Sequence, residues 1–122
     1  IKDAPTFPEV WVELLPMLLS ADCVIIHNAP FDLGHLRSVL ELYQLPAVSF
    51  YYADSVTITR QRIPGLSSYS LNSVAAHFGI DFKHHNALED ALTCAKIIDR
   101  IGVPAAAIKQ FCLGNYSENL YK

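Results

Sequence analysis

Two aspartates and one histidine stand where side-chain chemistry is easiest to build. Asp32 follows a short apolar run and enters a helical pattern. Asp90 lies in the first turn of a second helical pattern, five residues after His85. Carboxylates are hard oxygen donors of the kind that Mg²⁺ and Mn²⁺ take. An imidazole with its ordinary pKa near 6.5 can exchange a proton at neutral pH. A carboxylate at a helix N-terminus also has a purely structural use, because the free N–H groups and the helix dipole favour it there. Taken singly, each aspartate is explained by capping.

The elements that position these residues follow from periodicity. Thr6-Phe7-Pro8-Glu9 has the form of a capping box and opens a helix carrying Val10, Leu14 and Leu18. Pro16 predicts a kink or an early break in it. Cys23-Val24-Ile25-Ile26-His27 is too short for a helix and has no polar alternation, so it reads as a buried strand of the kind found in parallel sheets. A helix is expected from about 31 to 43, ended by Gln44-Leu45-Pro46. A second strand is expected at 48–53, closed by Asp54, and the polar stretch 54–62 can hold a short helix. Ser70 can cap a helix ending at Gly79, and the last clear helix carries Leu88 to Ile98 before Gly102 and Pro104. Residues 104–113 read as one more short helix, followed by a polar tail.

Strand–helix–strand with buried strands implies a parallel crossover in an α/β fold. Two strands are too few for so many apolar helix faces. A piece of the sheet is therefore expected to lie outside this sequence, which begins with Ile1 and not with Met.

Composition sets the remaining bounds. The 122 residues fit one domain, and 52% apolar with 17% charged residues describes a chain with a core. A net charge of −3 gives no basic footprint for nucleic acid, although bound cations would offset metal-binding carboxylates. Cys23, Cys94 and Cys112 are odd in number and widely spaced, which fits reduced thiols in a cytoplasmic protein and no zinc or disulfide framework. No apolar run reaches the roughly 20 residues of a membrane span, so no membrane partner is expected.

The local words around the two aspartates carry more than either alone. His27-Asn28-Ala29-Pro30-Phe31-Asp32 and His85-Asn86-Ala87-Leu88-Glu89-Asp90 closely resemble the second and third motifs of the DEDDh family. These are the proofreading 3′–5′ exonucleases of bacterial replicative polymerases and their relatives. The segment between is similar too: Asp54-Ser55-Val56-Thr57 with Arg60, Tyr69-Ser70-Leu71 and Phe78-Gly79-Ile80 match family features. The resemblance covers roughly residues 1–101, with the two aspartates 58 positions apart (90 − 32).

The resemblance implies a ribonuclease-H-like α/β exonuclease fold, here a fragment lacking the first three strands. Residues 1–102 would form the C-terminal part of the exonuclease domain, and 103–122 a short helix and tail. It implies a two-metal Mg²⁺ or Mn²⁺ site in which Asp32 and Asp90 are two of four acidic ligands and His85 is the general base. The other two ligands would come from an Asp-x-Glu motif, which this sequence does not contain. The expected substrate is a single-stranded 3′ end of DNA or RNA, with a DNA polymerase as a partner. The chain by itself is expected to be inactive.

Other candidates divide as follows. His27 is expected to be structural, holding a backbone or side-chain partner. Asn28 can orient the loop or touch the substrate backbone, and Phe31 can be core or a base-stacking platform. His84 is a rival to His85, with spacing favouring His85. His35 and His77 read as surface or packing residues. Arg60, Arg62 and Lys83 either approach phosphates or are solvated charge. Cys94 reads as helix core, with nothing to activate a thiolate. Two other classes of function compete with the exonuclease reading: a non-enzymatic fragment that self-associates through exposed sheet edges, and a zinc hydrolase built on His27, His84, His85 and Asp90.

Overall fold

The computed structural model describes residues 4–81 and 86–112. Its elements, among the described residues, are α1 (Phe7–Ser20), β1 (Val24–Ile26), α2 (Ala29–Leu42), β2 (Ser49–Asp54), α3 (Ser55–Arg62), α4 (Leu71–His77), α5 (Ala87–Ile101), a 3₁₀ turn (Ala105–Ala107) and β3 (Lys109–Cys112). The strands form one sheet in the order β1-β2-β3. This is a mixed α/β architecture of the class expected from the sequence. The residues group into two compact units, the first from Ile1–Val24, Pro30–Tyr52 and Lys109–Lys122, the second from Ile25–Ala29 and Ala53–Ile108.

In the first unit, α1 runs unbroken through Pro16 to Ser20, so the expected early break is not seen. Pro16 leaves the Val12 carbonyl without its helical donor, but both residues are exposed and water can serve it. Thr6 does occupy the N-cap, although its side chain accepts nothing from the helix; its hydroxyl donates to Glu9 Oε1 at 3.2 Å. Trp11 is buried and stacks on Phe7, which stacks in turn on Tyr43. α2 stops at a left-handed Gln44, and the Leu45 N–H returns to the Leu40 carbonyl at 2.9 Å, closing the helix in place of the usual glycine.

Of the segment 104–113, expected as a helix, the described residues 104–112 instead form a single 3₁₀ turn followed by β3. Pro104 and three alanines favour helix locally, but pairing with β2 wins. β3 runs antiparallel to β2, with Phe50 opposite Phe111 and Tyr52 opposite Lys109. The two phenylalanines are both buried and stack at 5.1 Å between ring centres. The Arg37 guanidinium lies 5.0 Å from the Phe111 ring centre and donates to the Cys112 carbonyl at 3.0 Å. The sheet therefore has a third strand that periodicity alone did not reveal.

In the second unit, α4 and α5 pack around Val74, Ala75 and Ile97, with Ile63, Tyr69 and Phe78 among the apolar residues against them. α4 begins where expected, with Ser70 Oγ accepting from the Ser73 N–H. α5 is capped by Asn86, whose side chain accepts from the Glu89 N–H, and it ends at Gly102 with φ 76°. The Phe78 carbonyl beyond α4 is taken by the Arg100 guanidinium of α5 at 2.9 Å.

Candidate active site

The word ending in Asp32 begins as a turn held from several sides. His27 follows β1, and both ring nitrogens are used: Nδ1 lies 2.7 Å from Ser55 Oγ and Nε2 2.9 Å from the Tyr69 carbonyl. The structural role expected for His27 matches this geometry. Asn28 adopts a left-handed backbone, φ 69°, which asparagine tolerates better than most residues. α2 then starts at Ala29, two residues earlier than its periodicity suggests, with Ala29 buried and Pro30 in the first turn.

What fixes this turn is Asp54, which in the sequence closes a strand and opens a stretch similar to the family but has no role of its own there. Asp54 accepts three backbone N–H groups: Asn28 at 3.0 Å and Val56 at 2.9 Å on Oδ1, and Ala29 at 2.9 Å on Oδ2. It caps α3 and pins the turn before α2 with one carboxylate. The sequence signal was an aspartate directly before Ser55-Val56, an N-cap type of residue; its long-range use left no trace in the spacing.

Asp32 and Asp90 each lie in the first turn of a helix, where the sequence pattern puts them. Asp32 is exposed in the first turn of α2, in the first unit. Phe31 beside it is 62% exposed, so it is no core residue, and it meets the His35 ring edge-on at 4.5 Å. Asp90 is half-buried in the first turn of α5, in the second unit, where its N–H bonds the Asn86 carbonyl at 3.2 Å. Asn28 is exposed, with its backbone N–H committed to Asp54. His84, His85 and Lys83 lie outside the described residues.

Ser55 and Cys94 complete the support behind His27. Ser55 is buried, and its Oγ is 3.5 Å from Cys94 Sγ. Burial pushes the Cys94 thiol pKa up, the Ser55 bond opposes this, and the nearby Asp54 carboxylate adds to the rise. Cys94 is thus a packed, protonated thiol. Thr59, also buried, donates back to the Ser55 carbonyl at 2.8 Å. Arg60 is exposed, with its guanidinium 5.5 Å from the Tyr69 ring centre.

As carboxylates, Asp32 and Asp90 have the donor chemistry that a hard divalent cation requires. Among the described residues, no three His, Cys, Asp or Glu side chains form a group that could hold a metal ion. The donor type fits, and the described set supplies too few donors to close a site. No helix among the described residues is long and apolar enough to cross a membrane.

Comparison with known proteins bears on the same residues. The family model RNase_T, described as an exonuclease, matches residues 1–98. The DNA polymerase III subunit epsilon of Rickettsia prowazekii (strain Madrid E) is 31% identical over 104 residues, covering 80% of this chain and 44% of that protein. Its counterpart in Escherichia coli (strain K12) is 32% identical over 104 residues, covering 80% and 42%. The PolC-type DNA polymerase III of Clostridium perfringens (strain 13 / Type A) is 30% identical over 99 residues, covering 80% of this chain and 7% of that protein. The chain spans less than half the length of these epsilon relatives. With the family model matching most of its length, including the words ending in Asp32 and Asp90, the chain belongs to the exonuclease family and is of the epsilon-like kind.

Proposed function

We propose that the gene product carrying this chain is a metal-dependent 3′–5′ exonuclease that removes nucleotides one at a time from a single-stranded 3′ end of DNA or RNA. The observation that carries this reading is the pair of aspartates, Asp32 and Asp90, each in the first turn of its own helix within an exonuclease-family sequence. Asp32 and Asp90 would hold divalent cations, Mg²⁺ or Mn²⁺. When bound, such ions stabilise charge on the attacking and leaving oxygens of a phosphodiester. His85 takes the proton from the attacking water. The new P–O bond forms as the bond to the 3′ oxygen breaks, releasing a nucleoside 5′-monophosphate and a shortened strand with a 3′ hydroxyl.

Phe31 offers an exposed ring on which a terminal base can stack, and Asn28 an exposed amide beside the same helix start. A DNA polymerase is the partner that the epsilon relatives suggest, in the cytoplasm. The 122 residues contain no Asp-x-Glu, so they lack half of the expected ligands and are inactive on their own. Digestion of a 5′-labelled single strand in Mn²⁺ tests this. The gene product should shorten the strand from its 3′ end and the Asp90→Ala variant should not. Processive digestion by the 122-residue chain alone, abolished by Asp90→Ala, would show that the missing ligands are not needed.

A second reading rests on α5, where Leu88 and Leu92 are 67% and 46% exposed. Such a face favours self-association of the chain as a non-enzymatic piece. Light scattering separates the two: a strict monomer that unfolds cooperatively counts against assembly.

A further inference from the structure

Residues 27–29 are held to residues 54 and 55 by three bonds that no local pattern requires. The Asn28 and Ala29 N–H groups each donate to a different oxygen of Asp54, and the His27 ring meets Ser55 Oγ. Hydrogen bonds to an ionised acceptor are about twice as strong as neutral ones. They act here on a left-handed Asn28, a backbone state that most side chains avoid and that needs outside support to persist. Ala29 is the first residue of α2, and Asp32 stands three residues later in the same turn. Ala29 and Asp32 share the first turn of α2, so the Asp32 side chain springs from a helical turn whose first N–H is held by Asp54.

We propose that Asp54 is a positioning residue for the reaction: its carboxylate locks the Asn28 turn and the first N–H of α2, and so sets the placement of the Asp32 carboxylate. The proposal rests on the exonuclease reading for the role of Asp32. It goes beyond helix capping, because a cap for α3 needs only the Val56 bond, and Asp54 spends both oxygens on the other side. Asn in place of Asp keeps the shape but puts an NH₂ group where an N–H donor points. Ser in place of Asp still caps α3 well, yet it has one oxygen on a shorter arm and cannot serve both N–H groups of the turn.

The test compares Asp54→Asn and Asp54→Ser with Ser70→Ala in the whole gene product. Ser70→Ala removes the α4 cap and serves as a control for stability loss alone. Two quantities are read: hydrogen exchange at the Asn28 and Ala29 amides, and the Mn²⁺ concentration giving half-maximal nuclease rate. Both Asp54 variants should exchange at these two amides at least about 10-fold faster and need about 10-fold more Mn²⁺, the scale seen when a group that orients a ligand is lost. Ser70→Ala should change neither ratio while lowering the melting temperature. If Asp54→Asn does not fold, Asp54→Ser carries the test. Unchanged Mn²⁺ dependence in a folded Asp54 variant, or faster exchange spread evenly over the chain, overturns the proposal. If the unaltered gene product has no nuclease activity, the functional reading fails by itself. Asp54 is then judged by Mn²⁺ broadening of the Asp32 amide signal, and equal broadening in Asp54→Ser overturns its role.

Discussion

His27 Nε2–H donates to the backbone carbonyl of Tyr69 at 2.9 Å, joining the end of β1 to the start of α4 across 42 residues. A carbonyl only accepts, so Nε2 carries the proton. In the neutral ring Nδ1 then accepts from the Ser55 hydroxyl at 2.7 Å, and Ser55 Oγ lies 3.5 Å from Cys94 Sγ. The relay from Cys94 through Ser55 and His27 to Tyr69 leaves no ring nitrogen of His27 for a metal.

From this relay, His27→Ala should destabilise the fold by about 1–3 kcal/mol, because it strands the Ser55 hydroxyl and the Tyr69 carbonyl. Urea unfolding measures the loss, and ¹⁵N shifts of the native ring should report the Nε2–H tautomer. A loss below about 0.5 kcal/mol, the scale of an ordinary surface change, would mean that water replaces the relay freely.

The helix caps differ in kind, and their variants should differ accordingly. Ser70→Ala and Asn86→Ala each remove a side-chain acceptor from a helix N–H and should cost about 0.5–2 kcal/mol. Thr6→Ala should cost less, since the Thr6 hydroxyl only donates to Glu9 and caps nothing. Denaturant midpoints of the three variants give the ranking directly.

Thiol reactivity should follow burial. Cys112 is exposed and should be alkylated first in the native state; buried Cys94 should be protected until the chain unfolds. Burial also pushes the Cys23 thiol pKa up. For Cys94 the folded pKa lies above the unfolded one. Its contribution to stability is therefore complete below the ordinary thiol value of about 8.5 and is lost as pH rises through the folded value. Timed alkylation read by mass spectrometry tests the order, and unfolding at pH 7.5 and above 9 tests the sign. Cys94→Ala should flatten the alkaline loss.

Most element boundaries were legible in the sequence because they depend on near neighbours. Ser70 and Gly102 mark helix ends through their own backbone preferences, and both act as expected. β3 was not legible, since Pro104 and the alanine run favour a helix while its strand state comes from Phe50, far back in the chain. The start of α2 was not legible for the same reason: Asp54, a distant residue, supplies the acceptor for the Ala29 N–H where the helix begins. For the site, residue types and spacing picked out Asp32 and Asp90 at helix starts, and the positional role of Asp54 emerged only from its hydrogen bonds.

The most direct test of the account is the rate of 3′-terminal nucleotide release in Mn²⁺ by the whole gene product, compared with its Asp32→Ala and Asp90→Ala variants. Losing an outer-sphere partner typically costs 10–100-fold, so losing a ligand should cost at least about 100-fold. Both variants should fall by that much while their melting temperatures stay close to that of the unaltered protein. Release from the 3′ end at undiminished rate in either folded variant would contradict the assignment of these two carboxylates.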